Sequence, residues 1–123
     1  MAFLNDRVFD NGLTVLDTEA NSVHVTSAEA TTYTEAITTY TLGSSNSLSI
    51  AAPTDRVGGG RKVTVASIAD GSITGTGTVT HYALVDTTNS RLLATAALTA
   101  SQSVTNGNTF TLATFDIGIP DPT

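Results

Sequence analysis

The sequence predicts an all-β domain, an antiparallel β-sandwich or small barrel with at most one short helix at about residues 31–40. Three observations predict it. Thr and Ser make up more than a quarter of the 123 residues, and Thr suits half-buried strands because its β-branch stiffens χ1 and packs on a pleated surface. Apolar and polar residues alternate along several runs, which is the strand period. Turn dipeptides such as Asp70-Gly71 and Asn106-Gly107 punctuate those runs, at the roughly ten-residue spacing of antiparallel sandwiches and barrels.

Residues 1–21 read as an N-terminal arm or a first strand, and residues 22–123 as a single β domain. Phe3, Leu4, Val8 and Phe9 are too apolar for a free tail. Asp10-Asn11-Gly12 is a turn signal, and Leu13–Leu16 is short enough to be a strand or an extended arm. The segment either tucks into the core or packs on another subunit. Val23 and Val25 alternate with His24 and Thr26 as in a strand. Ala28–Tyr40 is the helical piece: Thr31 or Thr32 caps it, Glu35 sits near the first turn, and its Thr content limits it to one or two turns. Tyr33 and Tyr40, seven apart, share a face that packs on the sheet. Gly43–Asn46 is a loop, and Ser47–Ala52 a brief strand stopped by Pro53.

Asp55–Gly60 is a glycine-rich bend. Lys62–Ile68 is a strand with Val63 and Val65 on one face, and Asp70-Gly71 reads as a hairpin turn. Ile73–Asp86 reads as one long strand, with Val79, His81, Ala83 and Val85 on one face and Thr78, Thr80, Tyr82 and Leu84 on the other; Gly75 and Gly77 mark a bulge or bend. Thr87–Ser90 is a turn. In Arg91–Leu98, Leu92, Ala94, Ala96 and Leu98 share a face. Asn106-Gly107 is the strongest turn signal, since a type I′ turn needs φ > 0 at both positions. In the last strand, Asn108–Ile119, Phe110 and Leu112 lie on one face and Phe115, Ile117 and Ile119 on the other. That shift of phase predicts a bulge near Ala113 or Thr114, or burial on both faces. Pro120 and Pro122 end the strand.

The net charge is −6 and the pI about 4.4. Arg7, Arg56, Arg61, Lys62 and Arg91 are too few to neutralise a row of phosphates, so neither nucleic acid nor an anionic membrane is an expected partner. With no Cys there is no disulfide. A chain of this size buries roughly two-thirds of its unfolded surface, but much of its hydrophobic content is Ala, so its core is lean and neighbouring copies are expected to add stability. The opening residues lack the zones of a signal peptide, which makes synthesis in a cytoplasm the expectation. No apolar run approaches the ~20 residues of a membrane helix.

No motif carries chemistry. Gly58-Gly59-Gly60-Arg61-Lys62 lacks the Lys-Ser/Thr of a phosphate loop and leads into a strand pattern. His24 and His81 each sit in an alternating strand, far from the three or four convergent ligands a metal needs. Asp86 and Asp116 fall near strand ends, where solvated carboxylates are common, and Asp17 and Glu19 lack the spacing of a calcium loop. There is no Gly-x-Ser-x-Gly elbow. Neither a catalytic residue, a cofactor nor a metal is expected, and the chain does not read as an enzyme.

Several segments resemble small virion proteins of tailed bacteriophages and prophages: Asn11-Gly12-Leu13-Thr14-Val15-Leu16-Asp17-Thr18-Glu19-Ala20, Ala28 to Ala36, Asp55 to Val65, Thr80-His81-Tyr82-Ala83-Leu84-Val85-Asp86, and Phe115-Asp116-Ile117-Gly118-Ile119-Pro120. The resemblance runs over most of the chain. It implies a structural protein of the virion, most like a capsid decoration or cement protein on the outer surface of the head. The implied partners are the major capsid protein and copies of the chain itself, as a trimer or another small homo-oligomer. A tail or fibre-associated host-binding module is the alternative. Phe3, Leu4, Arg7, Val8 and Phe9 are the candidate capsid or subunit contacts, acting by burial of apolar area across subunit seams and by pairing at sheet edges.

Overall fold

A computed structural model describes residues 11–119 and the backbone of Phe3 and Leu4. In chain order the elements are β1 (Phe3–Leu4), α1 (Thr14–Glu19), β2 (Ser22–Thr26), a π-helical turn (Glu35–Thr39), β3 (Thr41–Ser45), β4 (Thr54–Asp55), β5 (Arg61–Val65), β6 (Ile68–Ile73), β7 (Gly77–Asp86), β8 (Arg91–Val104), β9 (Thr109–Leu112) and β10 (Phe115–Ile119). Strand accounts for 52% of the structure and helix for 13%. The predicted fold class holds, with short helices only.

Six strands in the order β8-β7-β2-β3-β6-β9 form a curled half-barrel, and β1 adds two residues outside β8. The second sheet is β10-β5-β4. Every pairing is antiparallel. The main core lies between the two sheets: Val23, Val25 and Leu84 of the half-barrel pack with Val63, Val65 and Ile117 of the small sheet and with Leu13, Val15 and Leu16 around α1. A second cluster covers the other face of the half-barrel, where Ala83, Val85 and Leu92 meet Ala30 and Ala36, with Tyr33, Ile37 and Tyr40 packed against them. Both faces of β7 are therefore buried from Ala83 to Asp86.

The helical turn forms where expected. The Thr32 hydroxyl accepts the Glu35 N–H at 3.1 Å, and a Glu35 carboxylate oxygen accepts both the Thr31 N–H at 2.9 Å and its hydroxyl at 2.7 Å. This is a reciprocal cap, satisfying donors the first turn leaves open. The Tyr40 N–H reaches the Glu35 carbonyl, five residues back, which makes the turn π-helical.

Several expectations are corrected. Gly43–Asn46 is not a loop: Gly43, Ser44 and Ser45 belong to β3 and pair with Val25, His24 and Val23, and the strand read at Lys62–Ile68 ends at Val65, with Ile68 opening β6. Leu13–Leu16 is neither strand nor extended arm but leads into α1, so there are two short helical segments rather than one; Leu13, Leu16 and Ala20 recur at helical spacing and pack on the core. Ser47–Ala52 makes a single bridge, Ile50 to Val65. Asp70-Gly71 lies inside β6, at an irregularity opposite β9, and makes no hairpin. The long strand predicted from Ile73 breaks at Thr74–Thr76, where Gly75 and Gly77 pass over Leu42. Its predicted faces also change: Val79 lies in the main core beside Leu84 while Ala83 and Val85 belong to the other cluster, and the pairing with β8 is irregular between Val79 and His81. A second bulge at Leu93 likewise sends Leu92 and Ala94 to opposite clusters.

The phase shift near Ala113 and Thr114 is real, and its cause is larger than a bulge. The chain leaves the half-barrel as β9 and enters the small sheet as β10. Asn106-Gly107 does make a turn, with the Asn108 N–H on the Thr105 carbonyl at 3.1 Å. Only Gly107 has a positive φ, however, and β9 pairs with β6 instead of folding back on β8.

Candidate functional site

The half-barrel is left open between its two ends, and a cavity of about 460 Å³ lies there. One wall is β8 from Ala96 to Val104; the other is β9 and the crossover to β10, from Phe110 to Asp116. Val25, Val79 and Tyr82 contribute from β2 and β7. The volume is in the range of small-molecule pockets, which recur at barrel mouths. Beyond Thr95 the outer edge of β8 has no strand partner among the described residues, and neither has that of β9.

Local sequence explains the opening. Between Val79 and His81 of β7, β8 runs from Gln102 back to Ala97, so Leu98–Ser101 arches out of the ladder. A bulge of this kind bends its strand and loosens its pairing, and bulges gather at barrel rims. Between Arg91 and Asp116 the chain has no charged residue, so the walls are uncharged except at Asp116, which lines one end. Within the cavity, Tyr82 and Phe115 stack with ring centroids 4.5 Å apart and a tilt of 43°. Burial pushes the Tyr82 phenol up to about 12, so it stays neutral over any physiological range.

Asp116 closes one end. Its carboxylate accepts the Thr64 hydroxyl at 2.8 Å and the Lys62 ammonium at 3.1 Å, and these two bonds hold it below the usual carboxylate range. Beyond it lies a shallow pocket lined by Arg56, Val57, Lys62 and Gly118. The Gly58–Gly60 stretch turns the chain from β4 into β5, with φ of 89°, 104° and 91°, a region that favours Gly. The Arg56 guanidinium donates to the Gly59 carbonyl at 3.0 Å and braces the loop, while Arg61 pairs with Asp55 at 2.6 Å. Val57 at the tip is 91% exposed.

The other residues weighed for chemistry do structural work. His24 Nδ1 shares a hydrogen with the Thr41 hydroxyl at 2.8 Å, and His81 Nδ1 with Thr80 at 2.8 Å. Asp86 is buried, not solvated: its carboxylate accepts the Thr88 and Asn89 N–H groups and the Asn89 side-chain amide at 3.0, 3.3 and 2.8 Å. It thereby shapes the β7–β8 turn. Glu19 lies 3.5 Å from Arg91. Among the described residues no group of three or more His, Asp or Glu is placed to hold a metal ion, and no helix is long and apolar enough to cross a membrane.

Of the candidate contact residues, Arg7, Val8 and Phe9 lie outside the described residues. Phe3 and Leu4 are described as backbone only, opposite Thr95 and Ala94 at the edge of β8. The cavity residues were not singled out from the sequence; the uncharged run from Leu92 to Phe115 was the available signal. Comparison with protein-family models, with curated proteins and with solved structures finds no match.

Proposed function

We propose that this chain is a structural protein of a tailed-phage virion, a decoration protein that sits on the outer surface of the head and binds the major capsid protein across capsomer seams. The observation that carries the reading is the largely apolar slot between two sheet edges that have no strand partner among the described residues. Such edges present rows of backbone N–H and C=O groups, and proteins normally guard them with charge or proline. Among the described residues these carry neither, which suits a surface covered by another polypeptide, the capsid protein or a copy of this chain. The segments resembling phage virion proteins include β5, β7 and β10 (Asp55 to Val65, Thr80 to Asp86 and Phe115 to Pro120), which build or back this region.

The test is addition of the purified chain to heads that lack it, followed by co-sedimentation and cryo-electron microscopy. The expected result is saturable binding with density on the outer lattice of the head. Density confined to the tail, or no binding to any particle, overturns the reading.

A further inference from the structure

The hairpin tip and the slot lie side by side, and their chemistries match. Asp116 borders both. Val57 is the large hydrophobic residue left exposed among the described residues. The hairpin around it, residues 55–62, carries three of the chain's five cations and only one of its eleven carboxylates. The remainder of the molecule is therefore strongly acidic, and the hairpin is a basic knob with an apolar tip. We propose that a second copy of this chain covers the slot: the Val57 tip of each copy enters the slot of the other, giving a two-fold pair.

Three physical points argue for a second copy. A surface that displays both a knob and a hole is self-complementary, which an isologous two-fold contact requires. The hairpin keeps a net positive charge even with Arg61 paired to Asp55, so charge steers its encounter with a second copy, which is acidic elsewhere. The one charged residue lining the slot, Asp116, is already paired with Lys62, so two acidic chains meet there with little like-charge opposition, and a desolvated apolar side chain in a largely apolar pocket is the usual anchor of an interface. The inference uses the same slot as the decoration reading and names its occupant as a second copy, which leaves capsid contact to the outer surface of the pair.

The experiment uses the full chain. Sedimentation velocity of the wild type should show a dimer that weakens as salt rises. Val57→Asp should weaken dimerisation at least tenfold with an unchanged circular dichroism spectrum, since the exposed side chain supports nothing within its own copy; Val57→Leu should retain the dimer. Because the chain has no Cys, a mixture of the Val57→Cys chain with an Ala100→Cys chain should form the mixed disulfide under mild oxidation. A monomer at all concentrations, a ring of three or more copies, or a dimer indifferent to Val57→Asp with no mixed disulfide overturns the proposal. A free chain that stays monomeric, with its slot protected only when phage heads are added, overturns it as well and assigns the slot to the capsid. Failure of head binding with an intact dimer would instead sink the decoration reading alone.

Discussion

Two residues of β7 and β8 show how burial decides what a polar group can do. Tyr82 keeps its proton to unusually high pH because partial burial disfavours the phenolate; its folded pKa, about 12, lies above the ordinary value of 10. That raised value means the stabilising contribution is complete below pH 10 and is lost as pH rises through 12. Spectrophotometric titration should find one tyrosine ionising near 12, and Tyr82→Phe should remove that step. An alkaline titration unchanged by the substitution would place the phenol in water. Thr95 is the opposite case. It is buried, and its hydroxyl has no hydrogen-bond partner among the described residues. An unpaired buried hydroxyl costs about 1–3 kcal/mol, and Val has nearly the same shape. Thr95→Val should therefore stabilise the protein by about 1 kcal/mol in urea denaturation; a loss of stability would show that the hydroxyl is satisfied.

At the scale of elements, the half-barrel curves where its strands depart from regular pairing, and Gly71 is the clearest instance. It lies opposite Phe110, and a Cβ there would overlap the Phe110 ring. The ring lies over the glycine and locks β9 to β6. Gly71→Ala should push the ring aside and cost about 1–3 kcal/mol, the usual range for overpacking, read as a lower thermal midpoint; an unchanged midpoint would mean that β9 moves freely. Such irregularities also mark what the sequence could and could not tell. The strand near Ser22–Thr26, the start of the one read at Lys62–Ile68, the second half of the one read at Ile73–Asp86, the capped turn at Thr31–Glu35 and the Thr87–Ser90 loop were legible, because each depends on neighbours within a few residues. Asp70-Gly71 misled because the dipeptide serves a bulge as well as a turn, and only the β9 strand, far along the chain, decides between them. Leu92 and Ala94 misled because a single bulged residue reverses every later face. The slot was illegible for a stronger reason: its walls meet only after six strands are ordered, and strand order is not written in alternation. Its one local trace is the absence of charge between Arg91 and Asp116.

For the whole molecule, acid is the condition that should take the fold apart, and the sign is the same at every seam. Burial holds the His24 imidazole below its ordinary 6.5, so the unfolded chain binds the proton first and stability falls as pH drops below that value. The carboxylates follow. Asp70 accepts the Ser47 and Ser45 hydroxyls at 2.6 and 3.1 Å, tying β6 to the end of β3. Asp116 ties β10 to β5, and Glu35 caps the helical turn. Hydrogen bonds hold all three below their ordinary values. Their stabilisation is thus present above those values and fades as pH falls through the folded ones. These three groups are exposed, so each weighs little alone and salt weakens the Asp116–Lys62 pair further. Urea midpoints should therefore fall in two stages from pH 7 to pH 3, a first below 6.5 and a second below about 4. His24→Gln should flatten the first stage and leave the second. Asp116→Asn should blunt the second, because the amide oxygen still accepts the Thr64 hydroxyl at any pH. A single transition unaffected by His24→Gln would show that the imidazole is as free in the folded chain as in the unfolded one. The slot shares this dependence through Asp116: acid that loosens β10 from β5 loosens one wall of the opening, so self-association through the Val57 tip should weaken over the same lower pH range.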